Sequence, residues 1–210
     1  MALKSYSDLN DMHRDMLQEL GNIGCGNAVT SLATMTSKKI DMSVPKVHIL
    51  NYNEIAQLLG GPEKTIVAMM VDFEGDVSGT MMFLLNHDFA GRLIEDVAGI
   101  KVKDFNRLGE IECSILMELS NIMGGAYISA LSTLTNLSIS LSVPYLSSDM
   151  VGAILNAPAV KYEKLGDQVI FIEENIETIS TQLTSNILVI FDLESLDKIM
   201  SALGLELWVI

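Results

Sequence analysis

Two side chains recur at a fixed spacing in this sequence: a glutamate and, three positions on, an asparagine, at Glu19 and Asn22 and again at Glu118 and Asn121. Neither is a useful nucleophile, and an amide is no base. A carboxamide does both donate and accept hydrogen bonds, so it can hold a water in a fixed direction. The carboxylate beside it can pair with a cation that a partner brings and so fix the docking register. Phosphoryl transfer needs little more, because its loose transition state is served mainly by positioning and charge stabilisation.

The two pairs lie within longer copies, Gln18-Glu19-Leu20-Gly21-Asn22-Ile23-Gly24-Cys25-Gly26 and Met117-Glu118-Leu119-Ser120-Asn121-Ile122-Met123-Gly124-Gly125, offset by 99 positions. Pro45 and Pro144 stand at the same offset, with 22 residues between each Asn and its Pro. Three preset identities coincide about once in ten thousand trials at average residue usage, so the repeat is a duplication. At about 100° per helical residue, Glu19 and Asn22 fall within roughly 60° of each other, with Asp15 between them. Gly26 shares that face, while Leu9, Met16, Leu17, Leu20, Ile23, Gly24 and Met35 gather opposite. The second copy repeats the division with Ser114, Glu118, Asn121 and Gly125 outward. One amphipathic helix with a Glu and an Asn on its wet side is ordinary. Two such helices that both keep a mediocre helix former and a glycine in matching places are not, because each choice costs local stability without a packing gain.

The chain has 210 residues, 49% of them hydrophobic, enough to bury a sizeable core. Its formal charge of −14 disfavours nucleic acid and anionic membrane and favours a partner with a basic surface. No apolar run of bilayer-spanning length and no N-terminal signal pattern is visible, so a cytoplasmic protein without membrane insertion is expected. Cys25 and Cys113 have no C-x-x-C spacing and no neighbouring histidine, and read as reduced thiols. His13, His48 and His87 are scattered singly. No metal held by this protein is expected.

Hydrophobic periodicity predicts how the pairs are carried. A long helix is expected from about 7 to 35 with Ser7 as its N-cap, then a strand over 39–50 that Pro45 bends or marks as an edge, and a short helix over 53–59. A hairpin over 65–73 and 77–85 turns at Glu74-Gly75-Asp76, and a helix over 88–97 stops at Gly99. After a link at 101–106 the order begins again: a long helix over 108–134, a strand over 137–141, a short helix over 148–155, strands near 169–173 and 187–192, and a helix over 193–203 stopping at Gly204. The closing offset is 105 rather than 99, which implies a small insertion between Ala157 and Asp167. The apolar tail 205–210 is expected to pack. The resulting picture is one domain over 1–210 built from two repeats, about 7–100 and 106–205. Its fold class is α/β (α+β): two αβ halves related by a pseudo-two-fold axis share one mixed, largely antiparallel sheet, with two long helices on one face.

Asp15-x3-Glu19-x2-Asn22-x22-Pro45 and Ser114-x3-Glu118-x2-Asn121-x22-Pro144 both resemble the (Asp/Ser)-x3-Glu-x2-Asn-x22-Pro signature of the CheC, CheX and FliY phosphatase family. The resemblance covers nearly the whole chain, and two copies in one chain resemble the CheC-type members. It implies removal of the phosphoryl group from the aspartate of phosphorylated CheY, a chemotaxis response regulator. Asn22 and Asn121 would then orient the attacking water, Glu19 and Glu118 would engage a regulator lysine, and Mg²⁺ would belong to the regulator. It also implies binding to the receptor deamidase CheD, with Asp149 and Met150 on the short helix after Pro144, capped by Ser147-Ser148, as the expected surface. A monomer is expected. The alternative is a non-catalytic adaptor that sequesters CheD or docks at the flagellar switch.

Overall fold

In the computed structural model, which describes residues 6–163, 168–178 and 181–205, the chain passes twice through the same series of elements. The first pass is α1 (Asp11–Thr36), β1 (Ile40–Met42), β2 (Lys46–Asn51), α2 (Tyr52–Leu58), β3 (Thr65–Gly75), β4 (Gly79–Leu85) and α3 (His87–Ala98). The second is α4 (Glu110–Thr135), β5 (Ile139–Leu141), β6 (Tyr145–Met150), α5 (Val151–Lys161), β7 (Gln168–Thr178), β8 (Thr181–Phe191) and α6 (Leu193–Ala202).

The eight strands form one sheet in which every pairing among the described residues is antiparallel. The hairpins meet at its centre, where β4 pairs with β8. The outer strands are exchanged: β1 and β2 of the first repeat pair with β7 of the second, and β5 and β6 pair with β3 of the first. Neither repeat therefore has a complete sheet of its own. The middle of the sheet, residues 66–71 of β3 and all of β4, is buried on both faces and so is almost wholly apolar. Val67, Met69, Val71 and Phe73 of β3 face one core, and Ile66, Ala68 and Met70 face the other. Helices α1, α3, α4 and α6 cover the first face and α2 and α5 the second. No helix among the described residues is long and apolar enough to cross a membrane.

Three local features differ from the sequence expectation. The N-cap of α1 is Asn10, not Ser7, because Tyr6–Asp8 forms a separate 3-10 turn. The Asn10 side-chain oxygen accepts from the His13 backbone N–H at 3.0 Å, and His13 Nδ1 accepts from the Asn10 N–H at 3.2 Å. A histidine completes this capping box where Glu or Gln is usual, so the pattern is easily missed. The turn is anchored by Tyr6, whose buried hydroxyl donates to the Phe191 carbonyl at 2.9 Å and accepts from its N–H at 3.0 Å.

The strand expected over 39–50 is broken into β1 and β2. Met42 pairs with Ile176 and Lys46 with Glu173, so three residues oppose two on β7. The same extra residue appears between Leu141 and Tyr145, which pair with Phe73 and Met70. Each motif proline thus belongs to a one-residue bulge, where its missing N–H breaks no ladder bond.

The third correction concerns 147–150. Ser147, Ser148, Asp149 and Met150 belong to edge strand β6, paired with β3, and α5 begins only at Val151. The serines therefore cap nothing. In the first repeat Asn51 caps α2 by accepting from Glu54 N–H at 2.9 Å. Met150 holds the matching place before α5, and there the Lys64 and Pro62 carbonyls accept from the Val151 and Gly152 N–H groups instead. Helix α5 spans 11 residues against 7 in α2, which accounts for most of the changed offset. Residues 206–210 of the apolar tail and 164–167 of the expected insertion lie outside the described residues. Gly99 and Gly204 end α3 and α6 with φ of 71° and 77°, a left-handed conformation that favours glycine.

Candidate functional site

Helices α1 and α4 lie side by side and antiparallel on the sheet: the Met35 end of α1 lines a groove with Glu110, Ile111, Ser114, Ile115 and Glu118 of α4. The inward faces explain the register. Leu17, Leu20, Gly21, Gly24, Cys25 and Ala28 of α1 are buried, as are Leu116, Leu119, Met123, Gly124 and Tyr127 of α4. A side chain at Gly21 would meet Val47 at 2.9 Å, and one at Gly124 would meet Val71 at 3.3 Å, so both helices approach the strands closely where each has a glycine.

That burial leaves the repeated acid and amide outward. Asp15, Glu19, Ser114, Glu118 and Asn121 are exposed and Asn22 is half-buried. The side chains of Glu19, Asn22, Glu118 and Asn121 form no hydrogen bond or ion pair with any described residue. Each is thus available to a partner. Since Met35 lies beside Glu118, the two pairs are separated along α1 by about 16 residues, roughly 24 Å at 1.5 Å per residue. One phosphorylated group cannot engage both. Gly26 has nothing within 4 Å of where a Cβ would stand, and Gly125 meets only Leu141 at 4.0 Å, so partner backbone can come near either helix.

Pro45 is buried and Pro144 half-buried beneath this surface. Gln18, next to Glu19, ties the first bulge to α1: its amide nitrogen donates to the Pro45 carbonyl, and its oxygen accepts from the Val47 N–H at 3.0 Å. The repeat puts Met117 at that position, which can make neither bond. The second bulge is held from the sheet instead, where Ser142 donates to the Asp72 carbonyl at 2.8 Å and its hydroxyl accepts from the Asp72 N–H at 3.1 Å. Sequence reasoning missed Gln18. Its signal was a polar residue where the other copy has an apolar one. Asp149 and Met150 are exposed at the far end of β6, away from both pairs in the pairing order, since they oppose Ile66 and Thr65 rather than Phe73.

In the first turn of α1, burial holds the His13 imidazole below the usual histidine value of 6.5, in the neutral form that its bond with Asn10 requires. Cys25 is buried and Cys113 half-buried, with no disulfide. No three His, Cys, Asp or Glu side chains among the described residues are grouped to hold a metal ion.

The fold and the paired helix faces define a duplicated, open helix-on-sheet surface, of a kind that suits a macromolecular partner better than a small ligand. A model described as the CheC-like family matches residues 12–49 and 111–148, the two spans from long helix through proline to the following strand. The "CheY-P phosphatase CheC" of Bacillus subtilis (strain 168) is 31% identical over 206 residues, covering 96% of this chain and 99% of that protein. The chain belongs to the CheC-like family. The "Flagellar motor switch phosphatase FliY" of the same organism is 30% identical over 143 residues, which cover 68% of this chain and 37% of that protein. Among solved structures, Thermotoga maritima FliY superposes with a TM-score of 0.73 at 21% identity, covering 93% of this chain and 98% of that one. The FliM middle domain from H. pylori gives 0.68 at 13% identity over 92% and 99%. These structures share the fold.

Proposed function

We propose that this protein hydrolyses the aspartyl phosphate of a CheY-type chemotaxis response regulator at two separate sites, Glu19 with Asn22 and Glu118 with Asn121. The observation that carries the reading is that both acid–amide pairs are outward and unpartnered on antiparallel helices, in a chain 31% identical to a CheY-P phosphatase. The glutamate pairs with a regulator lysine and fixes the docking register. The asparagine amide then accepts a hydrogen bond from a water and aims its oxygen at phosphorus. A P–O bond forms to that water as the P–O bond to the aspartate breaks. The aspartate leaves as a carboxylate, and the water's proton goes to the inorganic phosphate. Mg²⁺ is assigned to the regulator, where it offsets phosphoryl charge. Asp15 and Ser114 support the helix face, and Pro45 and Pro144 the bulges beside it.

CheD is proposed as a second partner on the ground of family membership. Asp149 and the exposed Met150, at the end of an edge strand rather than on a helix, form the surface assigned to it. Asp149→Lys should weaken a CheD complex and leave phosphatase activity intact. The reading implies a cytoplasmic protein that acts as a monomer. Its test is phosphate release from phosphorylated regulator by Asn22→Ala and Asn121→Ala separately. Each should retain substantial activity, because the sites share no side chain. Complete loss in either single variant would mean that the two pairs form one composite site.

A further inference from the structure

Each pair is flanked by apolar side chains that the fold leaves in water, and the repeat places them identically. Met12 and Ile111, matching residues in the first turns of α1 and α4, are each 62% exposed. Seen along the axis, Met12 lies within about 20° of Glu19 and roughly 10 Å before it, so it continues the same stripe. Val44 and Val143, immediately before the motif prolines, are 72% and 85% exposed. The one-residue bulges expel them from the ladder, and the bulges lie against the helices: Gln18 holds the first beside Glu19, and Leu141 touches the Gly124–Gly125 stretch beside the second. Nine large apolar side chains are exposed among the described residues, and these two matched pairs supply four of them. None of the four belongs to a core cluster or packs against one, and their matched places beside the two pairs set them apart from singly scattered surface residues.

Resting on the phosphatase reading, we infer that Met12 with Val44, and Ile111 with Val143, are docking anchors that grip an apolar patch on the phosphorylated receiver domain beside its aspartate. The occupant follows from charge and continuity. Asp11, Asp15 and Glu19 surround Met12, and Glu110 and Glu118 surround Ile111, so the matching surface is apolar at its centre and basic around it. At the second site Ile111 lines an open groove of about 420 Å³ together with Met35, Ile115 and Glu118, where an apolar side chain of the partner can rest. The anchors bind the regulator, while the asparagine acts on the water. They therefore set affinity and selectivity rather than turnover.

The test uses the full chain and a regulator loaded with beryllofluoride at its aspartate, a stable stand-in for the phosphoryl group. Binding is titrated for the fourfold variant Met12→Ser, Val44→Ser, Ile111→Ser and Val143→Ser, and for a control, Leu58→Ser with Val160→Ser. The control residues are equally exposed but lie on α2 and α5 on the opposite face. The fourfold variant should raise Kd by at least about tenfold while turnover at saturating regulator stays within about twofold. The control should leave both unchanged. Wild-type affinity in the fourfold variant, or equal weakening in the control, would overturn the inference. The Asn22→Ala, Asn121→Ala protein separates the two claims. It should bind as wild type without turnover. A wild-type protein that binds through the anchors yet releases no phosphate would sink the phosphatase reading alone.

Discussion

Replacing Gln18 with methionine, the residue that the second copy carries, tests whether the first site depends on its clamp. The exchange keeps side-chain volume and the apolar stem but removes both bonds across the bulge, to the Pro45 carbonyl and from the Val47 N–H. Each hydrogen bond contributes about 1 kcal/mol net, and the carbonyl of buried Pro45 loses its side-chain partner, so a loss near 2 kcal/mol is expected. At about 2–4 °C per kcal/mol for a chain of this size, Tm should fall by roughly 4–8 °C. The functional effect should be confined to one site. In an Asn121→Ala background, where the proposal leaves only the first site working, phosphate release should fall by about tenfold, since small misplacements at a positioning site are costly. In an Asn22→Ala background it should not change, because α4 and its bulge are held by other residues. Thermal unfolding and steady-state phosphate release read both arms. Unchanged Tm together with unchanged turnover in the first background would refute the clamp, and equal losses in both backgrounds would point to global damage.

Stability should decline in acid through His13, whose value lies below 6.5 because of burial. The unfolded chain takes up a proton more readily, so this contribution is complete above about pH 6.5 and is lost as pH falls from there through the folded value. His13→Gln, which keeps an acceptor for Asn10 N–H, should flatten that part of a pH-dependent denaturation series. Gly24→Ala should destabilise by about 1–3 kcal/mol in urea titration, because a Cβ there would stand 2.4 Å from the Tyr127 ring and push α1 off α4. Gly26→Ala should do the opposite, adding up to about 1 kcal/mol of helix propensity at an open position while weakening regulator binding in a pull-down titration.

The long helices and the central hairpins were legible in the sequence because their patterns are long and one-sided, or buried on both faces. The outward placement of the acid and amide was legible because duplication repeats what a single helix would have hidden. Strand exchange was not, since periodicity marks Val47 and Ile49 as strand residues without saying that their partners are Ile172 and Ile170 in the other repeat. The helix expected from 148 failed for a related reason. Ser147-Ser148 reads as a cap locally, but the edge of β3 needs hydrogen-bond partners and takes residues up to Met150. Pro45 marks a bend or an edge in the sequence, and among the described residues β2 does pair with β7 alone, but only the register shows an added residue that turns Val44 outward. Gln18 and Met12 stayed hidden because one resembles any polar helix residue and the other any core residue.

Phosphate release from phosphorylated CheY by the Asn22→Ala, Asn121→Ala double variant tests the central claim most directly. If the two amides orient water as proposed, then with both removed and the helices intact release should fall to the regulator's own rate while binding persists, since the contact would be made mainly in the transition state. Near wild-type release from a folded double variant would contradict the account and leave the repeated Glu and Asn as surface residues without a catalytic part.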